Sequence, residues 1–323
     1  ARTRFDLVSL DRPDECEILN QVECMLPYPS SRFEQPAATE TGVRIAYGPT
    51  SLPVIARLFP TIDIGPADPT PFLQNDGFSP TVQILMHFEQ TPDPARSEAP
   101  SIVAETRTYT EKGTRDQSPT LLIDWETGEK QIHWIENDGT TTDADRVVTF
   151  LRPGASLTPG KRYLVAVRRL VDAQGSTIQP EPVFRAIRDG APSDLPAVEA
   201  RRAQLEPVLR RLDEVGVETG DLQLAFDFQV QSDASLTREM LSMRDQAFAF
   251  LETQRAAGVQ TFQVDDVDER NPGCADANEP VWRFVVGTFQ APLCLEADPI
   301  LQKTEGRNLV RGAEGVPGWS TTT

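Results

Sequence analysis

Side chains able to do chemistry are few in this chain. His87 and His133 are its two histidines, and histidine is the side chain whose ordinary pKa lies closest to neutrality. Neither has a nucleophile or carboxylate beside it in sequence, as general acid–base catalysis would need. Val82, Ile84, Met86 and Phe88 fall on one face of a strand and His87 on the other, while His133 alternates away from Ile132 and Trp134. Both are therefore read as structural residues on a sheet surface. No Gly-x-Ser-x-Gly elbow for a serine nucleophile occurs. Gly318-Trp319-Ser320 is not one, because Thr322 stands where the second glycine would be and no strand precedes it. No residue is assigned a catalytic or cofactor-binding role.

Four cysteines fall into two local pairs, Cys16 with Cys24 and Cys274 with Cys294. Four allow three connectivities, and the local one is favoured because each pair lies in a proline-flanked, loop-rich stretch that a bridge would restrict. Disulfides persist in oxidising compartments, which places the chain in the periplasm, at the cell surface or in the medium. The other reading is four unrelated buried thiols. Zinc is disfavoured, since neither pair has two-residue spacing and both histidines lie in apparent strands. Asp265, Asp266, Asp268 and Glu269, with Asp276 and Glu279 behind them, offer the hard oxygens that calcium takes. They lack an Asp-x-Asp-x-Asp-Gly pattern and are read as a solvated loop, so no metal is assigned.

Composition limits the class further. The 323 residues are 39% hydrophobic and 7% aromatic, with 27 prolines against 20 glycines; this length suits two or three domains built from short elements. A formal net charge of −18 repels phosphate backbones and anionic membranes, which excludes nucleic acid as a partner. No run of 18 apolar residues is present to span a bilayer. An alanine at position 1 suits a processed mature chain, and the three threonines after Ser320 read as a stop imposed from outside, as by proteolysis.

The elements divide the chain into three. Residues 1–75 carry Pro27, Pro29, Pro36, Pro49, Pro53, Pro60, Pro66, Pro69 and Pro71 and are expected to form an extended segment that wraps a neighbouring domain, pinned by the first cysteine pair. Val54, Ile55, Leu58, Phe59, Ile62 and Ile64 are too apolar for a solvated tail. Residues 76–190 show short alternating runs between turn signals, the pattern of an antiparallel β-sandwich. Leu121, Ile123 and Trp125 lead into Glu126-Thr127-Gly128-Glu129, and Ile132 and Trp134 return, predicting a hairpin. Val147 to Leu151 and Tyr163-x-Val165-x-Val167 read as strands, and Asp172 to Gly175 as a turn before a short strand through Ile178. Tyr163, after a Pro159-Gly160 turn, is placed to return its hydroxyl to the preceding loop. Residues 191–323 read as α+β. Val198, Leu205, Val208, Leu209, Leu212 and Val215 recur at helical spacing, with Asp194 as cap, Gly216 as stop and a break or kink at Pro207. Leu222, Leu224, Phe226, Phe228 and Val230 mark one face of a strand with Asp227 on the other, and Leu236, Met240, Met243, Ala247 and Leu251 form a second helical stripe, read as plain core.

The runs Cys24-Met25-Leu26-Pro27-Tyr28-Pro29-Ser30-Ser31-Arg32-Phe33, Asp76-Gly77-Phe78-Ser79-Pro80, Leu157-Thr158-Pro159-Gly160-Lys161-Arg162-Tyr163 and Asp221 to Ser232 together resemble large secreted bacterial lipase-like or esterase-like proteins. In these an N-terminal immunoglobulin-like region, akin to the lipase N-terminal domain of bacterial virulence factors, precedes an α/β-hydrolase domain. Val285-Val286-Gly287-Thr288-Phe289-Gln290-Ala291-Pro292-Leu293 is similar to the early strand that enters the hydrolase sheet. The resemblance implies an immunoglobulin-like antiparallel β-sandwich over 76–190, followed over 191–323 by a smaller α+β region that could begin an α/β-hydrolase sheet. It implies a non-catalytic front portion, with ester hydrolysis carried by residues beyond 323 and a downstream hydrolase domain as partner. The alternative is an extracellular structural or protein-interaction subunit of a larger assembly without enzymatic activity.

Overall fold

The computed structural model describes residues 15–53, 67–102, 109–141, 143–289, 294–295, 309–310 and 317. The chain divides into two compact units, Ala1–Leu236 and Thr237–Thr323. Residues 191–236 thus fall within the first of these units. Val54, Ile55, Leu58, Phe59, Ile62 and Ile64 lie outside the described residues.

The first unit holds β1 (Glu34–Pro36), β2 (Val43–Ile45), β3 (Ile84–His87), β4 (Thr120–Asp124), β5 (His133–Asn137), β6 (Val148–Pro153), β7 (Arg162–Arg168) and β8 (Leu222–Gln229), with helices α1 (Tyr109–Lys112), α2 (Pro182–Arg188) and α3 (Pro196–Glu214). β1 pairs with β2, and two three-stranded antiparallel sheets run β3-β6-β5 and β4-β7-β8. Ile84, Met86, Ile135 and Leu151 of one sheet join Leu121, Ile123, Leu164 and Phe226 of the other in a single apolar core.

β7 and β8 are buried on both faces, which is why Tyr163 to Val167 reads as an almost unbroken apolar run. Their second cover is α3, whose Val198, Leu205, Val208 and Leu212 are fully buried. Pro196 opens α3, where a missing N–H leaves nothing unpaired. The residue before it, Leu195, caps without a side-chain bond, so Asp194 is not the cap. Pro207 leaves the helix as one span. It ends as a Schellman motif: the Gly216 amide bonds the Asp213 carbonyl at 3.0 Å, the Val217 amide bonds that of Leu212 at 2.9 Å, and Gly216 takes φ +80°.

The hairpin expected at Glu126–Glu129 closes only at its turn. Asp124 and Gln131 amides bond the Glu129 and Leu122 carbonyls at 2.9 and 2.7 Å, but β4 then stays with β7 while β5 departs to β6. A chain that switches sheets at a corner keeps its local turn and loses its local ladder. The strand expected through Ile178 is a lone bridge, Val171 to Thr177, and α2 follows it without having been anticipated. Tyr163 does form the corner, its hydroxyl accepting from the Thr158 amide at 3.0 Å.

The N-terminal segment is part of the first unit, with Cys16 to Asn20 buried and Tyr28 bridged to Leu85 by bonds of 2.9 and 2.6 Å. The second unit holds most of α4 (Asp233–Ala256), together with β9 (Phe262–Glu269) and β10 (Arg283–Phe289). These two strands form a separate antiparallel hairpin.

Candidate functional site

Both histidines turn out to be interior residues rather than surface ones. His133 is fully buried, its Nδ1 2.9 Å from the Gln131 carbonyl and its Nε2 2.9 Å from Thr120 Oγ1. Burial pushes its pKa down to about 4, against the two backbone carbonyls that favour the charged ring. It is neutral at pH 7 and accepts no proton there. It alternates away from Ile132 as expected, but with the direction inverted: Ile135 is buried on the same side as His133, and Ile132 is exposed. His87 Nε2 lies 2.8 Å from the Asp145 carbonyl, which only an N–H can satisfy, so Nδ1 accepts from the Asn20 amide at 2.9 Å. Each ring is held by backbone or amide partners, as a structural histidine is.

Cys16 and Cys24 are joined. Cys274 and Cys294 are free thiols, the first exposed and the second buried, which corrects the expected second bridge. The carboxylates read as a loop lie largely in β9. Asp268 pairs with Arg270, and Asp276 accepts from the Asn278 amide at 2.9 Å. Among the described residues no three potential ligands converge on a metal position.

The densest charged cluster is buried in the first unit. Arg201 grips Glu17 with two parallel bonds, Nε to Oε1 at 3.0 Å and Nη2 to Oε2 at 2.7 Å, and donates further to the Ser30 and Ser31 hydroxyls. Ser31 in turn donates to Asp227 at 2.6 Å, and Arg162 Nε meets the other oxygen of Asp227 at 2.6 Å. Glu34 accepts the Gln229 amide at 2.7 Å. Burial pushes the Glu34 carboxyl up to about 7, with Asp227 adding to the rise and Arg162 opposing it. Arg201, Glu17 and Asp227 are almost wholly shielded from solvent, so this network fastens the N-terminal segment to α3 and β8 and offers no surface to a substrate. The sequence carried one sign of it: Arg201 sits within the apolar stripe of α3, where an unpaired charge would not be tolerated.

The second unit presents a different surface. Directly opposed residues share a face, and Val285 opposes Val267, Gly287 opposes Val264 and Phe289 opposes Phe262. That face is apolar apart from the Arg283–Glu269 ion pair at its end; the other carries the pairs Phe284 with Asp268 and Val286 with Asp266. The register shifts between Val286 and Gly287, leaving Asp265 as an extra residue. Glycine is required at 287 because a Cβ there would meet the Gln263 carbonyl oxygen at 2.4 Å. The face is uncovered: Phe289 is 77% exposed and Phe262 58%. Leu236, Met240 and Leu251 of the α4 stripe are exposed too, correcting their reading as core. Ser242 and Gln246 of α4 both donate to the distant Pro317 carbonyl, at 3.2 and 2.7 Å. Comparison with known protein families, with curated proteins and with solved structures finds no match.

Proposed function

We propose that this chain is the non-catalytic front portion of an extracytoplasmic lipase- or esterase-like protein. In this reading the first unit is an immunoglobulin-like β-sandwich that positions or shields its neighbour. The second unit begins the region that meets an α/β-hydrolase sheet, and the ester bond is cleaved by a serine supplied beyond residue 323.

One observation carries the reading, the uncovered apolar face of β9–β10 formed by Phe262, Val264, Val267, Val285 and Phe289. A two-stranded hairpin is marginal by itself in water, and an apolar sheet face is stable when another layer covers it. A hydrolase sheet is such a layer, and the run from Val285 to Leu293 that resembles its early strand begins in β10. The Cys16–Cys24 bridge agrees with an oxidising compartment.

Intact-mass measurement and peptide mapping of the protein from its native source test this. The expected result is a mass well above 35.7 kDa, with peptides beyond Thr323 that include a Gly-x-Ser-x-Gly elbow. A native mass equal to that of these 323 residues overturns it and leaves an interaction subunit without enzymatic activity.

A further inference from the structure

A cavity of about 320 Å³ opens in the first unit, lined by Arg96, Glu98, Lys112, Arg115, Ser118 and Arg169 among others. Four cationic side chains face one carboxylate there, on a chain whose net charge is −18. Three elements deliver them: the turn 94–98, the end of α1 with the turn after it, and the residue that follows β7.

The charge is only partly neutralised. Arg96 and Arg115 make exposed pairs with Asp93 and Glu111 at 3.5 and 3.1 Å, which are weak and exchangeable. Arg169 lies 3.9 Å from Asp221. Among the described residues Lys112 makes no ion pair. Behind the wall Arg168 is buried and spends its donors on backbone, the carbonyls of Ser118 at 3.2 Å and of Asp116, while Arg169 bonds the Gln117 carbonyl at 2.8 Å. Burial, and next the charge of Arg169, push Arg168 below its ordinary pKa. Two adjacent guanidinium groups thus brace the loop 116–118 beside the cavity.

One further observation points to a ligand. Of the three described non-glycine residues with positive φ, two line this cavity, Glu98 at +52° and Arg169 at +55°. Backbone strain of this kind concentrates at ligand sites.

We propose that this cavity binds a phosphate-type tetrahedral dianion. Such a group has the charge for more than one cation and enough acceptor oxygens for Lys112 and the guanidinium groups together; a single carboxylate would leave most of these donors idle.

The test is titration of the 323-residue chain with inorganic phosphate, read by thermal shift and calorimetry, against sodium chloride at matched ionic strength. Phosphate is expected to stabilise the chain saturably where chloride does not. The double variant Lys112→Glu/Arg115→Glu, which reverses two of the four cations lining the cavity, should abolish binding. An equal effect of chloride, or an unchanged phosphate response in the double variant, overturns the proposal. Vesicles of phosphatidylcholine with phosphatidic acid separate the sources. Retention that the double variant abolishes makes the ligand a lipid headgroup, and no retention beside a positive phosphate titration makes it a soluble phosphate ester.

Discussion

Arg201 shows how a buried charge is tolerated and what it is worth. Its guanidinium is matched by both oxygens of Glu17 and by two serine hydroxyls, so truncating it strands a carboxylate in the interior. Arg201→Met is expected to cost about 3–5 kcal/mol in urea unfolding, and adding Glu17→Gln should recover much of that, because no unpaired charge then remains. A second pair of residues sets the pH response. Folded Glu34 holds its proton to about pH 7 while the unfolded carboxyl releases it near 4.5, so its contribution is full below 4.5 and is lost as pH rises through 7. Folded His133 stays neutral down to about pH 4 while the unfolded ring protonates near 6.5, so its contribution is full above 6.5 and is lost as pH falls through 4. The two slopes oppose one another between pH 4.5 and 6.5. Relative to the parent chain, Glu34→Gln should make stability rise with pH across that window and His133→Gln should make it fall, each by at most about 1.4 kcal/mol per pH unit for one proton. Denaturation midpoints at four or five pH values measure both, and parallel profiles for the two variants would refute the assignment.

At the level of elements, the strands differ in what holds them. β4, β7 and β8 are buried throughout and lie in one ladder, whereas β9 and β10 are exposed at every position. Amide exchange follows the local opening free energy, so in the 323-residue chain the β9–β10 amides should exchange orders of magnitude faster than those of β7. Protection of the hairpin equal to that of β7 would mean that its apolar face is already covered. The same division explains what the sequence disclosed. The alternation in β8, the stripe of α3 with its Gly216 stop, the Tyr163 corner and the Cys16–Cys24 bridge are local patterns, and local patterns are readable. The departure of β5 from its turn depends on β6, which reaches it from the other sheet. The Glu17–Arg201 pair joins residues 184 apart, beyond any window of periodicity. The stripe of α4 misled for a related reason: helical spacing predicts an apolar face and is silent on whether anything covers it. The motifs that carried the family resemblance, too, perform structural tasks here. Asp76 takes the Ser232 amide and hydroxyl at 3.0 and 2.6 Å, and Gly77 is required because a Cβ would sit 2.6 Å from the Gln231 nitrogen.

For the whole molecule, the division after Leu236 predicts how it unfolds. The first unit owns the continuous apolar core, its ion network and its disulfide, while the second exposes valine and phenylalanine on a hairpin and on α4. Cooperative units with separate cores melt separately, so calorimetry of the 323-residue chain should give a weak early transition from the second unit and a larger late one from the first. The assignment can be checked by chemistry confined to one unit. Cys16 and Cys24 close a short loop, eight residues apart in sequence, whose removal is worth about 2–3 kcal/mol on loop-entropy grounds. Cys16→Ser/Cys24→Ser should therefore lower the late transition and leave the early one in place. Phe289→Asp, on the uncovered face of the hairpin, should leave the late transition unmoved while reducing the binding of an apolar dye to the native chain. A single transition displaced by both changes would mean that the two units fold as one, with the hairpin face then part of a shared core rather than a surface awaiting its cover.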